Sequence, residues 1–205
     1  MSEFSQKFMK WCGENSSRFI ETGTFKGETT KLASKHFKNV TTIEINEDNY
    51  NYSKNRLNNI SSIEFLLGDT IKLFPSVIEN HNDLKSTFWL DAHPMDPEKD
   101  GDCPLLVELD ILKKHSKRND HIIIIDDLQR CYNSKGNYPK FEELEGKLLA
   151  INPNYIIKPI PFKSWGVKKG DPSVLVATTV DFNFNDDFYL NKWSWVKKQI
   201  RRFSN

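Results

Sequence analysis

The sequence predicts an α/β protein organised on a doubly wound, mostly parallel sheet, from three observations. Short apolar or β-branched runs alternate with helix-patterned segments through five repeats between Phe19 and Asn152, the pattern of successive βα units. The runs 87–91 and 121–125 show no polar alternation, as expected of strands covered on both faces. Residues 155–161 and 174–180 then form two further runs with only a polar stretch, 162–173, between them. Without a crossover helix these last two strands run opposite ways, which places one antiparallel strand near the carboxyl terminus. The expected architecture is a Rossmann-like sheet of seven strands with helices on both faces.

Each element has a local reason. Phe8, Met9 and Trp11 fall at helical spacing within 5–12, ahead of the first strand. Phe19 and Ile20 lead that strand into a loop with glycines at Gly23 and Gly27, and 28–36 reads as the following helix. Residues 40–45 are rich in β-branched side chains and make the second strand. The polar segment 46–58, with Tyr50, Tyr52 and Leu57, is a surface helix. Strand three, 63–67, stops at Gly68-Asp69. Thr70 is placed to cap the next helix, whose apolar side is Ile71, Leu73, Phe74 and Val77, and Pro75 is read as early enough to be tolerated.

After the fourth strand, 94–102 is a loop of Pro, Asp and Gly. Pro104 opens a helix that carries Leu105, Leu106, Leu109 and Leu112 at helical spacing. The strand 121–125 runs into Asp126-Asp127; 132–139 is read as loop and 141–150 as helix. Residues 1–181 are expected to form one domain and 182–205 a basic, aromatic tail. Val196, Ile200 and Phe203 share one helical face there, so a helix packed on the same domain is the simplest reading. A membrane or partner contact through Lys197, Lys198, Arg201 and Arg202 is the alternative.

Composition excludes several classes. A chain of 205 residues with 38% hydrophobic content buries a substantial core, and a net charge of +1 gives no field that would draw nucleic acid. Cys12, Cys103 and Cys131 stand at unrelated spacings with no C-x-x-C, which points to reduced thiols rather than a disulfide framework or a zinc site. No apolar run reaches the roughly 18 residues that span a membrane, and no leader profile is visible. The expectation is a cytoplasmic protein.

The segment from Arg18 to Thr30 carries the first functional signal. A strand running into a glycine loop that opens a helix is how α/β proteins build nucleotide sites, because glycine allows the tight turn and the ligand's close approach. Glu44, 21 positions after Gly23 and near the end of the next strand, is placed to accept from both ribose hydroxyls. Asp69, on the same expected edge, can accept from the exocyclic amine of adenine. The plainer readings are a surface Glu at a strand end and a turn-forming Gly-Asp.

Taken together, Glu21-Thr-Gly-Thr-Phe-Lys-Gly27, Glu44, Gly68-Asp69 and Leu90-Asp91 resemble the class I S-adenosylmethionine (SAM)-dependent methyltransferases, from Arg18 to about Val180. That family's sheet also carries a reversed strand near its end. The resemblance implies that Glu21, Gly23 and Gly27 shape the methionine end of a SAM site, that Glu44 holds the ribose and that Asp69 faces adenine. Thr24, Phe25, Thr29, Ile45 and Thr70 are the neighbouring residues expected to bind the cofactor with them. Phe25 and Lys26 stand where many members have a further glycine. The tighter G-x-G-x-x-G of NAD enzymes is absent.

A second constellation is acidic. Asp91 ends strand four with His93 two residues on, and Asp126-Asp127 end strand five. If those strands are neighbours, three carboxylates and an imidazole converge at the carboxyl edge, where α/β sheets bind ligands. Such a set repels itself and calls for a cation, and its oxygen donors suit Mg²⁺ or Mn²⁺ rather than zinc. A pair of aspartates capping a turn is the plain alternative. This part resembles the metal-dependent, macrocin-type sugar O-methyltransferases. That likeness implies Asp91, Asp126 and Asp127 as metal ligands, Asp91 and His93 as catalytic groups, and a sugar or glycan acceptor. His93 stands where that group has another carboxylate, and Lys163 and Trp165 make a candidate acceptor wall. Three other readings remain open: a catechol-like acceptor, a SAM-binding module without turnover, and a homo-oligomer or larger glycan-assembly protein housing the chain.

Overall fold

In the computed structural model the structure describes residues 3–80, 82–94, 102–133, 138–162 and 172–182. The proposed acceptor wall at Lys163 and Trp165, and the tail from 183 onward, lie outside the described residues. The elements in chain order are α1 (Glu3–Asn15), β1 (Arg18–Thr22), α2 (Glu28–Ala33), β2 (Val40–Glu44), α3 (Glu47–Arg56), β3 (Ile63–Leu67) and α4 (Thr70–Glu79). They continue with β4 (Ser86–Leu90), α5 (Leu105–His115), β5 (Ile122–Ile125), α6 (Leu128–Asn133), α7 (Phe141–Ile151), β6 (Ile156–Ile160) and β7 (Val174–Thr178).

The strands form one seven-stranded sheet in the order β3-β2-β1-β4-β5-β7-β6. β3 to β5 run parallel, and β7 is antiparallel to both of its neighbours. The reversed strand expected from the missing crossover helix is therefore β7, inserted between β5 and β6.

Strand alternation divides the core into two halves. Ile123 and Ile125 of β5 join Phe88, Leu90, Phe74, Leu105 and Leu109 on the face covered by α4, α5 and α7. Ile122 and Ile124 join Trp89, Phe19, Leu32, Phe8 and Phe162 on the face covered by α1 and α2. A run of four isoleucines with no polar member is what two buried faces require.

Several boundaries differ from the sequence reading. Asp69, not Thr70, caps α4: its Oδ1 accepts from Ile71 N at 2.9 Å. Thr70 is instead buried. Pro75 lies sixth in α4, past the first turn, so the helix runs on at the cost of one intrahelical bond. β2 ends at Glu44, leaving Ile45 70% exposed. The short helix α6 runs on to Asn133, into the first two residues of the stretch 132–139 read as loop.

Candidate active site

The site is built at the carboxyl edge of β2, β1, β4 and β5, where four successive turns leave the sheet side by side. The first turn is the glycine loop. Gly23 takes φ 84°, and a Cβ there would lie 2.3 Å from the Asp91 carbonyl oxygen. The loop thus crosses directly against the exit of β4, an approach only glycine permits. Gly23 N and Thr24 N both donate to Ile43 O, at 2.9 and 3.3 Å, which pins the loop onto β2.

A buried side-chain network fixes the loop from below. Glu21 Oε2 accepts from Thr30 Oγ1 at 2.5 Å and from Thr42 Oγ1 at 2.6 Å. Thr24 and Thr42 hydroxyls lie 2.6 Å apart. When Glu21 is ionised Thr42 spends its proton on the carboxylate, so Thr24 is the donor in that pair. Burial raises the Glu21 carboxyl to about 7, the two threonine bonds oppose the rise, and the charges of Glu44 and Asp126 add to it. Thr29, chosen from the sequence, is half-buried in the first turn of α2; its neighbour Thr30 makes the bond. Sequence position could not separate two adjacent threonines, but one helical step decides which faces the sheet.

Glu44 is 6% exposed and works with both oxygens. Oε2 accepts from Phe25 N at 2.7 Å and Oε1 from Asn46 N at 2.9 Å. The first bond holds Phe25 in the left-handed region, φ 47°, where a non-glycine residue is strained. Each carboxylate oxygen keeps a second lone pair, so these bonds orient Glu44 without saturating it. Gly68 N donates to Glu44 O at 2.8 Å, which brings the turn bearing Asp69 beside the turn bearing Glu44. Apolar side chains left open follow in the same two turns: Ile45, Leu67 (the register partner of Glu44) and Ile71 are 70%, 44% and 41% exposed. Carboxylates amid open aliphatic groups suit a flat, polar-edged ring system such as adenosine. Leu67 and Ile71 were missed because an apolar residue in a strand or helix pattern is read as core.

The acidic turns come next. Asp91 N donates to Thr22 O at 3.0 Å and Asp126 N to Leu90 O at 3.1 Å, so the ladder carries both residues one step past the strands and sets them side by side. Burial, then the charges of Asp126, Asp127 and Glu21, push the Asp91 carboxyl well above the usual carboxylate range. Asp127 turns away at φ 53°, with its N–H donating to Asp126 Oδ1 at 2.8 Å and its Oδ2 paired with Arg130 Nε at 2.9 Å.

The donor set is all oxygen and mutually repelling, which fits a hard divalent cation. Among the described residues no three His, Cys, Asp or Glu side chains stand ready around one point, since Asp127 is turned toward Arg130.

His93 is enclosed by the same turns. Nε2 lies 3.2 Å from Asp126 O, and a carbonyl can only accept, so the proton sits on Nε2. Nδ1 then takes the Cys103 thiol at 3.6 Å, and the ring meets Tyr138 edge-on at 5.2 Å. Burial lowers its pKa, which favours a neutral imidazole with its one lone pair directed at Cys103. A separate hollow of about 650 Å³ lies at the opposite, amino edge of the sheet, lined among others by Gly13, Ser17, His36 and Lys85. It gathers none of the carboxylates described above.

No protein-family model and no curated protein matches the sequence. Solved structures do match. An O-methyltransferase from Bacillus cereus bound to SAH (S-adenosylhomocysteine) superposes with a TM-score of 0.62 at 18% identity, over 87% of this chain and 82% of that one. This chain has the class I methyltransferase fold. The O-methyltransferase TomG from Streptomyces achromogenes, in complex with SAM, shares that fold at a TM-score of 0.60 and 16% identity, over 88% and 82%. A caffeoyl-CoA O-methyltransferase assignment from Staphylococcus aureus, itself named as unproven, gives 0.56 at 15%, over 87% and 84%. The methyltransferase fold also serves an N-methyltransferase from Bradyrhizobium japonicum and an rRNA methylase from Streptococcus thermophilus, both at 13% identity. Fold alone therefore leaves the acceptor atom open.

Proposed function

We propose that this chain is a SAM-dependent O-methyltransferase that uses Mg²⁺, or Mn²⁺, to methylate a hydroxyl of a sugar or glycan. The observation that carries the reading is adjacency: the glycine loop packs against Asp91 itself, so the proposed donor pocket and the acid set share one wall. Glu44 and Asp69 hold the adenosine of the cofactor, and the loop from Glu21 to Gly27 holds its methionine end. SAM supplies a sulfonium methyl group open to attack by a nucleophile. Asp91, Asp126 and Asp127 would hold the cation, and the chemistry it would supply there is Lewis-acid polarisation of an acceptor hydroxyl.

The chain's own work is to place and deprotonate. The packed loop against Asp91 fixes the distance between donor and acceptor, and holding two reactants in line is worth several kcal/mol of barrier. A sugar hydroxyl keeps its proton at neutral pH, so a base must take it as the new bond to carbon forms. Asp91, at the end of β4 beside the glycine loop, is one such group. Neutral His93 is the other, once the acceptor replaces the Cys103 thiol at Nδ1.

Glu44→Ala tests the donor pocket by calorimetric titration with SAH. Loss of hydrogen bonds to a charged acceptor, about 1.5–3 kcal/mol each, gives an expected weakening of roughly tenfold to a hundredfold. Unchanged affinity would remove Glu44 from the ribose. The likeness to the Staphylococcus aureus structure favours a second acceptor class, a catechol-like diol that chelates the cation through two oxygens. Parallel assays with a diphenol and a glycan mixture separate the two.

A further inference from the structure

One arginine has no part in the chemistry above, yet it grips the loop on which the donor pocket is built. Arg56 is the last residue of α3, and its side chain is partly buried. Its Nη1 donates to Lys26 O at 2.6 Å, and its Nη2 donates to Glu28 Oε1 at 2.5 Å. One guanidinium thus holds the backbone of the glycine loop and the first residue of α2 together. The end of α3 also lies against the loop, since a Cβ on Gly27 would meet the Leu57 methyl at 2.9 Å and Ser53 Cβ at 3.3 Å.

The stretch that Arg56 grips needs holding. Thr24 to Gly27 make a tight turn, closed by Gly27 N donating to Thr24 O at 2.8 Å. Phe25 enters it at φ 47°, a conformation that costs free energy for a residue with a Cβ. Phe25 and Lys26 are both exposed, with Lys26 Nζ 5.3 Å from the centre of the Phe25 ring, so burial does little to keep them in place. Polar contacts from outside the turn take over that task. Phe25 N donates to Glu44 Oε2 on the β2 side, and Lys26 O accepts from Arg56 on the α3 side.

We propose that Arg56 is a positioning residue for the methionine end of the cofactor site, acting through the Lys26 carbonyl. The proposal rests on the reading of that site as a SAM pocket. Of its two contacts, the bond to the carbonyl is the one that reaches the loop. The Glu28 side chain is 65% exposed, and an ion pair that open to water contributes little by itself. Without the carbonyl bond the turn relaxes from its left-handed conformation. Glu44 keeps its bond from Asn46 N at 2.9 Å, so the ribose side of the pocket stays in place. The loss therefore falls on the amino-acid arm of the ligand and spares the nucleoside.

SAH and adenosine, each titrated calorimetrically into the full chain, separate these two parts, because adenosine lacks the homocysteine arm. Arg56→Met keeps the aliphatic length and removes both bonds. It is expected to weaken SAH about tenfold and adenosine by less than about threefold. Arg56→Lys keeps a charged donor for the Lys26 carbonyl and is expected to bind SAH within about threefold of the wild type. Glu28→Ala leaves the carbonyl bond intact and is expected to do the same, within about threefold. Unchanged SAH affinity in Arg56→Met overturns the proposal, and so does equal weakening of SAH and adenosine, which marks a general loss of structure. Glu28→Ala as weak as Arg56→Met assigns the effect to the ion pair and overturns it too. The same holds for Arg56→Lys binding SAH no better than Arg56→Met. A wild-type chain that binds neither ligand is a distinct result: it removes the SAM pocket and this proposal with it.

Discussion

Asp126→Ala is expected to lower methyl transfer by on the order of 10²–10³-fold or more while leaving SAH affinity within about threefold. Asp126 lies beside Asp91 at the ends of neighbouring strands, and after burial its charge does most to raise the Asp91 carboxyl. Removing it deletes one proposed ligand of the cation and leaves the glycine loop, Glu44 and Asp69 untouched. The split between rate and cofactor affinity is the informative part. A mutation that damaged the fold would lower both together. Chelation with EDTA is expected to reproduce the loss in the wild type and to add nothing further in Asp126→Ala. Full activity of the variant in EDTA would remove the metal from the mechanism and leave Asp91 and His93 to act alone.

Gly23→Ala is expected to be the most damaging single substitution in the loop, by about 3 kcal/mol or more of stability, with SAH binding lost. Two costs combine there. A side chain at φ 84° enters the left-handed region, and its Cβ meets the backbone oxygen of Asp91 at 2.3 Å. Backbone at the end of a central strand cannot swing aside as a side-chain tip can. Gly27→Ala is the control, because it shares the positive φ, 72°, but its Cβ meets side chains rather than backbone: the Leu57 methyl at 2.9 Å, Ser53 Cβ at 3.3 Å and Thr30 Oγ1 at 3.8 Å. A loss nearer 1 kcal/mol is expected there. Thermal or denaturant unfolding of the two variants checks the difference, and equal losses would show that conformational strain alone sets the role of Gly23.

The fold was legible because its signals are periodic. The apolar run at 122–125 and the lack of a helix pattern in the sequence of 162–173 pointed to the parallel core and the one reversed strand, and both follow from which faces are covered. The backbone positions of the site were legible for the same reason: Gly23, Glu44, Asp69, Asp91 and Asp126 each fall at the end of a strand, and strand ends can be read from patterns. Side-chain direction could not be. Thr30 rather than Thr29 bonds Glu21, and Thr70 is buried while Asp69 caps the helix. Asp127 also departs from the pattern, since its left-handed backbone swings it to Arg130, a contact that depends on the helix formed after it.

Crystals of the chain grown with SAH and Mg²⁺ would test the pairing of donor pocket and acid set in one experiment. The expected result is adenosine between the turns of Glu44 and Asp69, the homocysteine end along the Gly23 loop, and a cation on Asp91, Asp126 and Asp127. Density for the nucleoside at another edge of the sheet, or no density at all under saturating ligand, would contradict it.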